Sequence, residues 1–253
     1  MKQVIILGAT GQIGGYLVDK LSDNYKIIEA NRKNNFIDFS DKNSIMEFVR
    51  KHISEQTYGI INCYGIQSPI GNFIDCDFED WENNIFINLT NYAFFLHQTL
   101  NKKNNLKKII NFSGGGAVGP REGFSAYSIS KIALFKLTET LSVELKNRRI
   151  DVNIVAPGAI KSNMTKEILK SKNVSNKEKK YAHEILENGG QDKNKILHIC
   201  QQLLSEKSNG ISGRLISAQW DEFDDSKLNF IRDNKDLFTL RRIDNKYFYK
   251  KEK

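Results

Sequence analysis

Cysteine is scarce in this 253-residue chain. Its three copies, Cys63, Cys76 and Cys200, are odd in number and lack metal-ligand spacing. That argues against a disulfide framework and a thiolate metal site, and it suits a reducing, cytoplasmic compartment. The four histidines, His52, His97, His183 and His198, are scattered without cluster spacing, so no metal site is expected. No apolar run approaches the roughly 18 residues of a membrane span. Met1-Lys2 and the apolar residues after it make a poor signal peptide, because the run breaks at Gly8 and lacks a small-residue cleavage site. Zinc-finger, helix-turn-helix and aromatic RNA-reading motifs are missing too, so the formal charge of +8 is not read as nucleic-acid binding. The excess is largely solvated lysine, and its field would draw in anionic substrates. No repeat and no linker marks a second domain.

What is present is alternation of strand and helix patterns. Hydrophobic residues make up 40% of the chain, enough for a core in a single α/β domain of this length. Val4-Ile5-Ile6-Leu7 reads as a buried strand running into Gly8-Ala-Thr10-Gly11-Gln12-Ile13-Gly14-Gly15 and then a helix. Strand, glycine turn and helix is the context a dinucleotide site needs: glycine admits a sharp turn and a close pyrophosphate, and the helix N-terminus offers unpaired N–H groups. Ile60-Ile61-Asn62-Cys63-Tyr64-Gly65 is a second strand end. Phe86-Ile87-Asn88-Leu89-Thr90 lies on the helix expected over Phe78–Leu100. Val152–Ala156 ends in Pro157-Gly158, followed by Ile160.

Tyr127-Ser-Ile-Ser-Lys131 places a phenol and an ammonium at i and i+4, on one helix face, shortly after Ser113-Gly-Gly-Gly. A free tyrosine titrates near pH ~10, and a nearby cation favours its phenolate, which turns the phenol into a general acid/base. Tyr and Lys at this spacing also occur by chance on surface helices. The ordered company of the other segments is what gives the pair weight.

In that order the chain resembles the short-chain dehydrogenase/reductase family over roughly residues 2–218. The resemblance implies an α/β fold, a Rossmann-type doubly wound parallel sheet of about seven strands. It forms a single domain, 1–218, with a C-terminal extension, 219–253. It also implies a nicotinamide dinucleotide and a catalytic group of Asn88, Ser113, Tyr127 and Lys131. Tyrosine would exchange the substrate proton while lysine binds the nicotinamide ribose and lowers the tyrosine pKa. Serine would bond the substrate oxygen, and asparagine would hold a water of the proton relay. The cofactor would meet Gly8, Thr10, Gly11, Gln12, Ile13 and Gly14, then Asn31, Arg32, Asp38 and Phe39, then Asn62 and Gly65, and finally Tyr127, Lys131, Pro157, Gly158 and Ile160. Phe36-Ile-Asp38-Phe39-Ser-Asp41 resembles the family's short third strand, with Asp41 or Ser40 alternatively capping the helix over Asn43–Ile53.

Three departures matter. Gln12 stands where shorter family members carry a middle glycine, a turn more like that of sugar-nucleotide-modifying members. Ser113 lies one residue outside the commonest spacing to the tyrosine, where this chain has Gly114. The alternative to Ser113 is carbonyl polarisation by Tyr127 and backbone N–H groups. The second strand ends in Asn31-Arg32 without a carboxylate, and arginine there can hold a 2′-phosphate, so NADP(H) is favoured over NAD(H).

The expected activity is NADP-dependent hydride transfer between nicotinamide and a small carbonyl or alcohol substrate. Few large apolar residues between Ser162 and Asn194 favour a polar substrate. A nucleotide-sugar oxidoreductase or dehydratase is the alternative within enzymes, and a cofactor-binding sensor or scaffold the alternative outside them. The apolar stripes of the helices bearing Asn88 and Tyr127 imply, by the resemblance, a homodimer or homotetramer. After Trp220 the extension mixes aromatics and charges, ending in Arg241-Arg242 and Lys246-Tyr-Phe-Tyr-Lys250-Lys251. It is expected to cover the substrate mouth or reach a neighbouring subunit, unless its last ten or so residues are a frayed, solvated tail.

Overall fold

The computed structural model describes residues 1–242. Six strands, β1 (Gln3–Leu7), β2 (Lys26–Ala30), β3 (Thr57–Asn62), β4 (Lys108–Phe112), β5 (Asp151–Ala156) and β6 (Leu215–Ser217), form one parallel sheet in the order β2-β1-β3-β4-β5-β6. Helices α1 (Gln12–Leu21) and α2 (Lys42–His52) follow the first two strands. Next come α3 (Phe78–Ile85) and α4 (Asn91–Asn101), then α5 (Ser125–Glu144). Helices α6 (Asn163–Lys170), α7 (Asn176–Asn188) and α8 (Lys193–Leu204) separate β5 from β6, and α9 (Leu228–Asp233) lies beyond the last strand.

The central strands are β-branched runs buried on both faces, as parallel crossovers require. Their side chains alternate with period two. Val4 and Ile6 join Leu17, Leu21, Ile199 and Leu203 on one face, whereas Ile5 and Leu7 join Phe48, Phe95, Leu134 and Phe135 on the other. Cutting such a buried Ile or Leu back to Ala costs about 2–5 kcal/mol.

The expected third strand at 36–41 shrinks to a single bridge between Asn31 and Phe36, leaving six strands among the described residues where about seven were expected. The cause is local. Asn31 Oδ1 accepts from the backbone N–H groups of Lys33 and Asn34 at 2.7 and 2.8 Å, which closes a tight turn. The chain then dives inward with Ile37 and Phe39 buried. Asp41 is the N-cap of α2, accepting from Asn43 and Ser44 N–H.

The long helix expected over Phe78–Leu100 is interrupted by a π-helical turn, Phe86–Thr90, which contains Asn88. In the extension, the Arg214 guanidinium, 4% exposed, donates to the carbonyls of Lys235, Leu237 and Ile231, and Leu215 N–H donates to Phe238 O at 2.7 Å. Arg241 Nη1 lies 2.7 Å from Glu139 Oε1 on α5. The extension, as far as it is described, therefore braces β6 and the N-terminal rim of the sheet. A cavity of about 890 Å³ opens there, lined by Lys107, Glu139, Arg214, Arg232 and Lys235 among others. From Leu228 to Arg241 the extension lies at this rim. The basic Lys246–Lys251 stretch lies outside the described residues.

Candidate active site

Strand register sets the site. Leu7 pairs with Asn62, Asn62 with Asn111, and Phe112 with Val155, so the loops after β1, β3, β4 and β5 open at one level on the C-terminal rim. In doubly wound sheets this is where ligands bind.

The glycine turn after β1 is closed to side chains. Gly8 has φ +74°, and a Cβ there would lie 2.9 Å from Tyr64 N; a Cβ on Gly14 would lie 2.3 Å from Gly8 O. Gly11 is the N-cap of α1 and brings no capping side chain, so the first N–H groups of the helix, from Gln12 and Ile13, keep their donors for a ligand. Thr10, Gly11 and Gln12 are exposed beside it. A bare turn feeding an uncapped helix fits a pyrophosphate.

The far end of the cofactor track is mixed. Arg32 is exposed, and its charge acts on both Asp38 and Tyr64. Asp38 is held below the usual carboxylate range, chiefly by the N–H of Ser40, whose hydroxyl adds a second bond at 2.8 Å. Asn31 turns its oxygen into its own turn, and its buried Nδ2 has no partner among the described residues. The Phe39 ring is a core side chain stacked on Tyr64 at 4.8 Å. Asn31 and Phe39 thus shape the surface that was expected to contact a cofactor, and Arg32 and Asp38 remain on it.

At the centre, Asn62 Oδ1 accepts from Tyr64 N–H and sets the turn that leads to Gly65. Gly65 is the meeting point: a Cβ there would be 3.2 Å from Lys131 Nζ and 3.3 Å from Asn88 Oδ1. The π turn aims Asn88 at Ile66, whose N–H donates to Oδ1 at 2.9 Å and whose carbonyl accepts from Nδ2 at 2.7 Å. Asn88 Nδ2 also reaches Ser130 Oγ at 3.2 Å. Pro157, Gly158 and Ile160 form the opposite wall. Gly158 has φ +75°, and the loop is clasped by Gln191 N–H donating to Ala159 O at 2.8 Å and by an Ile160–Gly190 bridge.

Tyr127 and Lys131 leave α5 toward this point, 7% and 4% exposed. Lys131 Nζ donates to Phe112 O at 3.0 Å and stands 5.6 Å from the centre of the Tyr127 ring. Burial pulls the ammonium down to about 8. Burial pushes the Tyr127 phenol up to about 12, opposed by the charge of Arg121 and not by that of Lys131. In this geometry the ammonium is turned to the Phe112 carbonyl, and Arg121 is the charge that opposes the rise of the phenol. Ser113 is buried at the end of β4, while Gly114 abuts the tyrosine: a Cβ there would be 2.2 Å from Oη. The phenol fills the space that a side chain at position 114 would occupy.

Sequence reading missed Ser130, Arg121, Glu178 and the Gly190-Gln191 clasp. Ser130 lies inside the Tyr127–Lys131 run and could have been found there. The others carry no local signal.

Fold and rim define a Rossmann-type dinucleotide-binding oxidoreductase. A family model described as enoyl-(acyl carrier protein) reductase matches residues 19–219. The chain is 31% identical over 190 residues to 3-oxoacyl-[acyl-carrier-protein] reductase FabG of Buchnera aphidicola subsp. Schizaphis graminum, covering 66% of this chain and 77% of that one. It is 30% identical over 240 residues to FabG of Buchnera aphidicola subsp. Baizongia pistaciae, covering 85% and 94%. A short chain dehydrogenase family protein from Francisella tularensis superposes with a TM-score of 0.72 at 24% identity, over 86% of this chain and 96% of that one. This chain belongs to the short-chain dehydrogenase/reductase family and is an NAD(P)-dependent oxidoreductase.

Proposed function

We propose that the protein is an NADP-dependent carbonyl reductase, working reversibly as an alcohol dehydrogenase, on a small polar substrate. The observation that carries this reading is the meeting of Lys131 and Asn88 at Gly65, with Tyr127 one helical turn from Lys131 and packed against Gly114, beside a glycine turn closed to side chains. Bound nicotinamide supplies or accepts the hydride at carbon. The chain's own residues do the rest. Tyr127 donates its proton to the substrate oxygen as alkoxide character develops, and a phenol that burial holds protonated is well prepared as the acid. Lys131 fixes the ribose side of the site, and its ammonium is the nearby acid that returns a proton to the Tyr127 phenolate, the amine then regaining one from solvent. Asn88, anchored to both backbone groups of Ile66, holds the turn at Gly65 and lines the proton path. Ser113 is the second hydroxyl toward the substrate oxygen, delivered by the Gly114–Gly116 run.

NADP is favoured because the exposed cations Arg32 and Lys33 stand at the tip of β2, where the strand's own end, Asn31-Arg32, brings no carboxylate to take the ribose hydroxyl. The relatives named as 3-oxoacyl reductases support a carbonyl substrate. Residues 1–218 act as the catalytic domain and 219–253 as an extension of it. A homodimer through the faces of α3 and α5 is supported by exposed Phe78 and Ile129. Among the described residues no helix is long and apolar enough to cross a membrane, and a cytoplasmic place suits the three free thiols.

The test is Tyr127→Phe assayed with NADPH and a panel of polar ketones. Turnover should fall at least about a hundredfold while NADPH affinity is kept. Arg32→Ala should weaken NADPH about tenfold and spare NADH. Full activity in the phenylalanine variant would sink the reading, and equal binding of both nucleotides would sink the cofactor assignment.

A further inference from the structure

Tyr127 is faced by a second cation. Arg121, on the loop ahead of α5, lies flat over the Phe124 ring, its guanidinium carbon 3.7 Å from the centroid. Its Nη1 lies against the glycine run: a Cβ on Gly115 would be 3.1 Å away. The neighbouring Gly114 is the residue that abuts the Tyr127 hydroxyl, so the guanidinium stands on the mouth beside the reacting oxygen, and its charge is felt there.

Its partner comes from across the mouth. Arg121 Nε lies 3.2 Å from both carboxylate oxygens of Glu178 on α7, and Nη2 lies 2.7 Å from Oε2, with both side chains 18% exposed. Glu178 sits three residues after Ser175, the N-cap of α7, where a glutamate ordinarily reaches back to the cap N–H. Ser175 does its half, accepting from Glu178 N–H, yet the carboxylate goes to Arg121. The α6–α7 segment does not depend on this pair for docking. Ile168, Val174 and Ala182 pack on Phe124 and Tyr127, and Gln67 Nε2 donates to Met164 O and, at 3.2 Å, to Glu167. Among the described residues Nη1 has no hydrogen-bond acceptor.

We propose that Arg121 is a specificity-determining residue that binds an anionic group of the substrate, a carboxylate or a phosphate ester, and that Glu178 is the internal carboxylate holding its place. This deepens the carbonyl-reductase reading and rests on it. A guanidinium fork matches both anions, and a Glu178 carboxylate displaced from Arg121 can turn back to the N-terminal N–H groups of α7, three residues after its N-cap, so that neither charge is stranded. The surplus positive charge of the chain favours the arrival of such a substrate.

The test uses matched probes: acetoacetate against its neutral ethyl ester, and dihydroxyacetone phosphate against dihydroxyacetone, each reduced with NADPH. The wild type should favour one of the two anions over its neutral partner by about tenfold or more in kcat/KM, and which pair does so separates carboxylate from phosphate. Arg121→Gln should erase that preference, bringing kcat/KM for the anion down to that for its neutral partner in the same variant, as should Arg121→Gln/Glu178→Gln, which leaves no stranded charge. Glu178→Gln should lower KM for the anion alone. A binding arm needs no turnover. In Tyr127→Phe, malonate or inorganic phosphate should raise Tm, and adding Arg121→Gln should abolish the rise. If no probe is reduced but the Arg121-dependent rise is seen, the carbonyl-reductase reading fails and the anion site stands. A rise that ignores Arg121, no rise at all, or an anion preference that survives in the glutamine variants overturns the proposal.

Discussion

Two lysines are buried at opposite rims of the same sheet, and their surroundings differ. Lys108 opens β4, 1% exposed, with Asp151 Oδ2 2.8 Å from its Nζ and Ser208 Oγ at 3.2 Å. Lys131, 4% exposed, has a carbonyl oxygen, Phe112 O, as its hydrogen-bond acceptor, and no described carboxylate lies within ion-pair distance of it. Burial lowers the pKa of both, but at Lys108 the Asp151 charge pulls the other way, whereas Lys131 falls to about 8. One charge is used up in joining β4 to β5. The other is left uncompensated next to a tyrosine, a glycine turn and an asparagine, where a ligand can use it. The same division runs through the two rims. The N-terminal one is stitched by Lys108, Arg214 and Arg241 to carboxylates and carbonyls, while the C-terminal one is built from glycines and uncapped N–H groups.

Exchanging the lysines for methionine is the sharpest way to break that comparison. Lys108→Met strands the Asp151 carboxylate in a mostly buried place and should cost about 3 kcal/mol or more of stability, read as a fall in Tm. Lys131→Met strands no carboxylate and should not lower Tm at neutral pH. Equal losses would mean that both lysines are structural.

The pH dependence sharpens it further. The folded pKa of Lys131, about 8, lies below the ordinary 10.5, so between those values the unfolded chain holds a proton that the folded chain has released. Stability of the wild type should therefore rise with pH through that window relative to Lys131→Met, by an amount on the order of 3 kcal/mol if the whole shift is expressed. Below pH 8 both states carry the charge and the difference should be flat. Denaturant midpoints of the two proteins across pH 7 to ~10.5 decide it, and parallel curves would show that Lys131 is solvated.

A smaller effect is expected at Gly114. Adding a methyl in Gly114→Ala forces the Tyr127 hydroxyl to move, and turnover should drop about tenfold or more with cofactor affinity unchanged. Unchanged kcat would show that the hydroxyl is free to sit elsewhere.

Much of the C-terminal rim was legible because its signals are local. The strand, glycine turn and helix at 4–21 and the Tyr127–Lys131 spacing each fit within one or two elements. The reduction of the strand at 36–41 to one bridge was not legible, since Asn31 closes a turn that only its side-chain geometry decides. The π turn at Asn88 is likewise invisible in apolar periodicity. Arg121 and Glu178 are 57 residues apart and meet only once α7 has docked. The i, i+4 rule places Tyr127 and Lys131 on one face, but which oxygen the ammonium chooses depends on the strand end at Phe112, on another element.

The most direct test of the reserved charge on Lys131 is a fluorescence titration of Lys131→Met with NADPH, alongside the wild type and Lys108→Met. If the account is right, the Lys131 variant binds about tenfold more weakly or worse while folding normally, and the Lys108 variant, where folded, binds as the wild type does. Wild-type NADPH affinity in Lys131→Met would contradict it.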